Sequence, residues 1–220
     1  MSRPSTIIRN LLAASALCFG LSAAAQPEAP EEVIRPIQQR WAEIKYRQPE
    51  KQQAELYHTL AEQARQLSES HPNLAPALIW EGIVVSSEAG ARGGLGALSL
   101  AKRARDLLEE SLKLDEAALN GSAYTSLATL YAKVPRWPLS FGDKARAEEL
   151  FRKSLALNPD GIDPNFFYGE YLVDEGRVAE GREHLRKALQ APPRPGRELA
   201  DQGRREEARA LLARLDKEGR

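Results

Sequence analysis

Residues 122–159 read SAYTSLATLYAKVPRWPLSFGDKARAEELFRKSLALNP, and residues 165–193 read NFFYGEYLVDEGRVAEGREHLRKALQAPP. The two stretches carry one two-helix unit twice. The first holds Tyr124, Leu127, Ala128 and Tyr131, then Ala147, Phe151, Ser154 and Pro159. The second holds Gly169 and Leu172, then Gly181, Leu185, Ala188 and Pro193. In each later set a small residue is followed four on by Phe or Leu, three further by another small residue, and five further by proline. Those steps put one apolar stripe on one face of a helix with 3.6 residues per turn, and the proline ends it.

The same pattern extends outward. A helix from about Leu74 to Ala89 carries Leu78, Gly82 and Val85 in step with Tyr124, Ala128 and Tyr131. Its partner, about Leu98 to Leu114, carries Ala104, Leu108 and Ser111, matching Ala147, Phe151 and Ser154. Residues 33–73 read as a degenerate first pair. One helix, Val33 to Tyr46, has Ile34, Ile37, Trp41 and Ile44 on one side, and the other, Glu50 to Glu69, has Leu56, Leu60, Ala64 and Leu67. Pro49 separates them, because proline disfavours helix in the residue before it and cannot donate its own N–H. At the C-terminal end, Leu172-x-Asp174-x-Gly176-Arg177 reappears as Leu199-x-Asp201-x-Gly203-Arg204. This predicts a shortened last unit, its first helix squeezed by the prolines of residues 192–196, and a terminal capping helix. Arg204, Arg205, Glu206 and Glu207 would form the charged outer face that lets a stack end in water.

Tyr124-x2-Leu127-Ala128-x2-Tyr131, followed by Ala147-x3-Phe151 and Pro159, resembles the tetratricopeptide repeat. The resemblance covers residues 74–216 and, loosely, 33–73. It implies an all-α, right-handed solenoid of antiparallel helix pairs whose groove binds a protein or peptide. Carried onto the matching positions, it implies groove residues Ile79, Ile83 and Ser86, then Thr125, Thr129 and Lys133, then Phe166, Glu170 and Asp174. That lining is apolar at one end and acidic at the other, and would suit an amphipathic segment with a basic end. The bland alternative is that these are ordinary solvated helix positions.

The copies differ most between their paired helices. From the small residue of one helix to that of the next takes twelve steps from Gly169 to Gly181, nineteen from Ala128 to Ala147, and twenty-two from Gly82 to Ala104. Two extra loops on one edge are therefore expected, and insertions on one face of a repeat protein often mark the binding face. The earlier, Gly90 to Gly96, lacks the strand and the Lys-Ser/Thr ending of a nucleotide loop. It is either a connector or an anion or peptide contact through backbone N–H groups and Arg92. The later, Val134 to Gly142, holds Arg136, Trp137 and Phe141. Leaving either ring in water would forgo roughly 1.5–3 kcal/mol, so each is expected to pack on neighbouring helices or to meet a partner.

Composition narrows the function. The 31 basic and 31 acidic residues balance without a basic face, which argues against nucleic acid. Arg3 and Arg9, an apolar run over Leu11 to Leu21, and Ala23-Ala24-Ala25 read as a cleaved secretory signal over residues 1–25. The run is too short for a stable span, so no membrane span is expected after cleavage. Residues 26–32 read as a flexible leader. Cleavage removes two basic residues and no acid, leaving 29 basic against 31 acidic, and removes Cys18, the only cysteine. The mature chain then has no disulfide although it enters an oxidising compartment. His58, His71 and His184 lack metal-ligand spacing, and neither H-E-x-x-H nor G-x-S-x-G occurs. No metal, cofactor or enzyme activity is predicted. The sequence reading is thus an exported, periplasmic adaptor with an unidentified protein partner. Its rival is an accessory or carrier of a transport system holding a small ligand between the helices. The two part on whether the loops enclose a cavity or border an open groove.

Overall fold

A computed structural model describes residues 29–218. The expected secretory signal and most of the expected leader lie outside the described residues. Among those described there are nine helices and no named strand: α1 (Pro30–Arg47), α2 (Glu50–Ser70), α3 (Ala75–Arg92), α4 (Gly94–Leu114), α5 (Ala118–Lys133), α6 (Lys144–Leu157), α7 (Ile162–Asp174), α8 (Val178–Gln190) and α9 (Glu198–Glu218).

Local chemistry explains most boundaries. α1 starts three residues before the expected Val33, so Pro30, Glu31 and Glu32 belong to the helix rather than to a leader. Proline suits the first helical position, and two acids in the first turn complement the helix dipole. α6 is capped by Asp143, whose Oδ1 accepts from the Arg146 N–H at 3.1 Å. α7 is preceded by Gly161 at its N-cap, and Asp163 lies inside its first turn. Its carboxylate is used elsewhere.

Three expectations fail. The Gly90–Gly96 loop is almost absent: α3 runs to Arg92, α4 starts at Gly94, and the turn is made at Gly93 and Gly94, with φ of 63° and 65°. These are left-handed values that glycine adopts without penalty. The extra residues lengthen two helices instead of projecting a loop. No short helix precedes the last one either, since residues 198–218 form one helix. Finally, Arg204 does not face water; it is 5% exposed.

The odd-numbered helices touch in a closed circuit: α1 on α3, α3 on α5, α5 on α7, α7 on α9, and α9 back on α1. Each even-numbered helix packs against the two odd ones flanking it in sequence. The small residues of the repeated pattern sit at the crossings. Ala104, Ala128, Ala147, Ala188, Ser111 and Ser154 are fully buried. A Cβ on Gly82 would lie 2.8 Å from Leu108 Cγ. A Cβ on Gly169 would lie 3.0 Å from both the Gly181 carbonyl oxygen and Leu185 Cγ. Gly203 holds the final contact, because a Cβ there would overlap the Tyr46 ring of α1.

Gly169→Leu should therefore wedge α7 from α8 and destabilise the fold by about 1–3 kcal/mol, the usual cost of overpacking a close crossing. Thermal melting followed by circular dichroism checks this. An unchanged melting temperature would show that the crossing is not close.

Candidate functional site

The circuit of odd helices surrounds a cavity of about 930 Å³ that is open to solvent on one side, where the exposed Leu95 and Leu139 line it. All five contribute to its wall, together with the start of α4 and residues 194–197. Most of the wall is apolar, carried by Trp41, Trp80, Ile83, Leu98, Leu130 and Phe167. Hydroxyls form a stripe along α5 at Ser122, Thr125, Ser126 and Thr129. Trp41 is fixed in place: its Nε1–H donates to Ser87 Oγ at 2.9 Å, and its ring meets Tyr46 and Trp80 edge-on at 6.0 Å. The entry to α5 is strained. Leu119 and Asn120, both on the wall, take φ of 50° and 53°. Left-handed backbone costs a residue with a Cβ on the order of 1–2 kcal/mol, and such strain persists only where the surroundings impose it.

Charge is concentrated on the α7–α9 side. Asp163 accepts from Arg194 Nη1 at 2.7 Å and from Arg204 Nε at 2.9 Å. Asp201 accepts from Arg194 Nε at 2.7 Å and from its backbone N–H at 2.8 Å. Arg204 also donates to Glu207 at 2.6 Å, and its guanidinium lies over the Phe166 and Phe167 rings at 4.6 and 4.3 Å. Burial alone would raise the Asp163 pKa, but Arg194, Arg204 and Arg197 outweigh it and hold the carboxyl well below the usual carboxylate range. Asp163 is deep in the fold, yet part of its side chain remains accessible and the residue lines the cavity. The network ties residues 194–204 to α7. Glu207 continues it to α1, with Tyr46 Oη at 3.4 Å and Lys45 Nζ at 3.4 Å.

The sequence-predicted residues divide. Ile83, Ser86, Thr125, Thr129 and Lys133 line the cavity. Ile79, 0% exposed, and Phe166, 5% exposed, are core, because the first-helix positions assigned to a groove here point into packing. Glu170 and Asp174 are partners of Lys133, at 3.3 and 2.8 Å, rather than an acidic patch for a basic peptide. Burial alone would lower the Lys133 pKa, but these bonds outweigh it and hold the ammonium above its ordinary value. Arg92 pairs with the buried Glu88 at 2.8 Å. Glu109 accepts from the Tyr131 hydroxyl at 3.2 Å. Phe141 packs edge-on against Tyr131 at 5.3 Å beneath the Arg105 guanidinium at 4.8 Å. Trp137 does neither of the two things expected of it within this chain; it is 85% exposed, beside the exposed Arg136 and Leu139. The wall residues of α1, and Arg194, Arg197 and Arg204, were not anticipated as site residues. A guanidinium in a charge-rich segment carries no mark in the sequence of what will surround it.

Among the described residues, no helix is long and apolar enough to cross a membrane. The sequence matches the family described as TRAP transporter T-component over residues 31–217. No tetratricopeptide family matches, so the repeat resemblance does not assign the chain. A search of curated proteins finds no match.

Asp163→Asn should cost on the order of 3 kcal/mol, because it leaves the buried Arg204 and the partly buried Arg194 short of their shared counter-ion. The sign with pH follows from a depressed carboxyl. Its contribution is fully present above the ordinary carboxyl value of 3.8 and is lost as pH falls through the folded-state value below it. The gap in melting temperature between wild type and Asp163→Asn should hold from neutral pH down to about pH 5 and narrow below about pH 4. A gap that stays constant into acid would show that Asp163 is not held as the anion.

Proposed function

Because this chain belongs to the TRAP transporter T-component family, we propose that it is an accessory protein of a transport system and holds a small, largely apolar ligand in its central cavity. The observation that carries this is the closed circuit of odd helices. An open groove would present a face for a peptide, whereas here α9 returns to α1 and surrounds the space between. A volume of about 930 Å³ lies within the range of roughly 300–1,000 Å³ usual for small-molecule sites. Predominantly apolar walls with a few placed polar groups are the usual make-up of such sites.

The finer architecture belongs to this reading. We take α3–α4, α5–α6 and α7–α8 as antiparallel pairs wound right-handedly around the cavity, supported by their short connections and close small-residue crossings. Export to the periplasm through the N-terminal signal, and ligand holding without chemistry, complete it. A protein partner from the transporter fits the exposed apolar edge, where Leu95 and Trp137 are each 85% exposed and Leu139 is 67% exposed. Leu95 and Leu139 also line the cavity, so a partner covering that edge would sit at its mouth.

Native mass spectrometry of gently purified protein tests the proposal. We expect a bound small molecule that is released on denaturation and is absent from Ser126→Trp, whose added ring would occupy the cavity while the helical signal persists. Wild-type protein that is always empty, or a ligand retained by Ser126→Trp, would contradict it.

A further inference from the structure

One side of the cavity wall holds donors that nothing satisfies. Of the three arginines there, Arg194 is paired with Asp163 and Asp201, and Arg204 with Asp163 and Glu207. Arg197 differs. Among the described residues its guanidinium makes no hydrogen bond and no ion pair, and its Nε is buried without a partner. The guanidinium carbon lies 4.8 Å from the centroid of the Trp80 ring. The indole Nε1 of Trp80 is buried without a partner as well. Both residues line the cavity. Two touching side chains thus offer donors and no acceptor, while the neighbouring carboxylates are taken by other arginines.

Burial and the adjacent Arg194 push the Arg197 pKa down to about 10, which still leaves it cationic at neutral pH. A partly buried cation that feels Asp163 and Asp201 only at a distance, and makes no ion pair or hydrogen bond of its own, is costly. Buried polar groups left unsatisfied are uncommon enough that each calls for an explanation. The rest of the wall cannot supply an acceptor of matching charge. Its two acidic residues are Asp163, already shared by two arginines, and Glu31, which is exposed on the first turn of α1.

We infer that Arg197, seated on Trp80, is the anchor for the head group of the cavity's ligand, and that the ligand is an apolar molecule ending in a carboxylate. The planar guanidinium fork matches a carboxylate in a two-bond arrangement. Stacking on the indole holds the plane of that fork. One unpaired cation calls for one negative charge, and the apolar wall formed by Trp41, Ile83, Leu98 and Leu130 takes the hydrocarbon body. This inference rests on the cavity being a ligand site.

The test is isothermal titration of the full chain with decanoate and, separately, with 1-decanol, which has the same chain and no charge. Hydrogen bonds to a charged group predict that decanoate binds at least about tenfold more tightly than 1-decanol. Arg197→Met keeps the stem over Trp80 and should reduce decanoate to the affinity of 1-decanol. Arg197→Lys should retain part of the preference. Circular dichroism checks that both variants fold, and the wild-type comparison of head groups needs no variant at all. If the two compounds bind alike to wild type, or if Arg197→Met keeps the preference, the anchor is overturned and the ligand site stands. If neither compound binds, the anchor and the apolar ligand site fail together.

Discussion

The structure depends on the contact between its first and last helices. Gly203 of α9 lies against the Tyr46 ring of α1, where no side chain would fit. Glu207, one turn on, reaches both Tyr46 and Lys45, while Arg204 between them is turned inward to Asp163 of α7. These contacts join residues about 160 positions apart in sequence. Ordering them costs loop-closure entropy that grows only slowly with separation, so a modest set of well-packed contacts can hold the closure. With α9 against α1 the helices surround a cavity; without it they would border an open groove. The choice between a ligand chamber and a protein-binding face therefore rests on this seam.

Much of the helical framework was legible in the residues. The stripe of Ala128, Ala147, Phe151 and Ser154 predicted a buried face, and all four are buried. Pro49 and Pro159 marked ends that the helices respect to within a residue or two. The closure was not legible. Leu172-x-Asp174-x-Gly176-Arg177 and Leu199-x-Asp201-x-Gly203-Arg204 are nearly the same local sequence, yet Gly176 turns the chain with φ of 79° and Gly203 stays helical. The difference is tertiary: Gly203 has a ring packed on it and Arg204 has a buried counter-ion. Periodicity names the face of a helix that is covered and is silent on what covers it. The same limit misled the family resemblance, since helix pairs with small residues at their crossings are not unique to one repeat family.

Residues of the site show the same division. Thr125, Thr129 and Lys133, assigned to a groove, lie on a cavity wall, whereas Ile79 and Phe166, assigned to the same groove, lie in the core. Trp137 and Phe141, four residues apart in one loop, have opposite fates. Phe141 caps Tyr131, and Trp137 stands in solvent beside an apolar edge. The cavity itself combines an apolar body, a hydroxyl stripe and a cationic corner built from residues 194–204. The proline-rich turn before α9 looked like a mere constraint on helix length. Its role in the fold is to bring Arg194 and Arg197 to the chamber wall.

The closure is tested most directly by measuring the distance between α1 and α9 in solution. Spin labels at Arg47 and Glu206, both exposed, with Cys18 replaced by Ser, would report it by double electron–electron resonance. A single narrow distribution at short distance is the result predicted for a closed circuit. A broad or long-distance distribution would mean that the first and last helices part, and that the chain presents an open groove instead of a chamber.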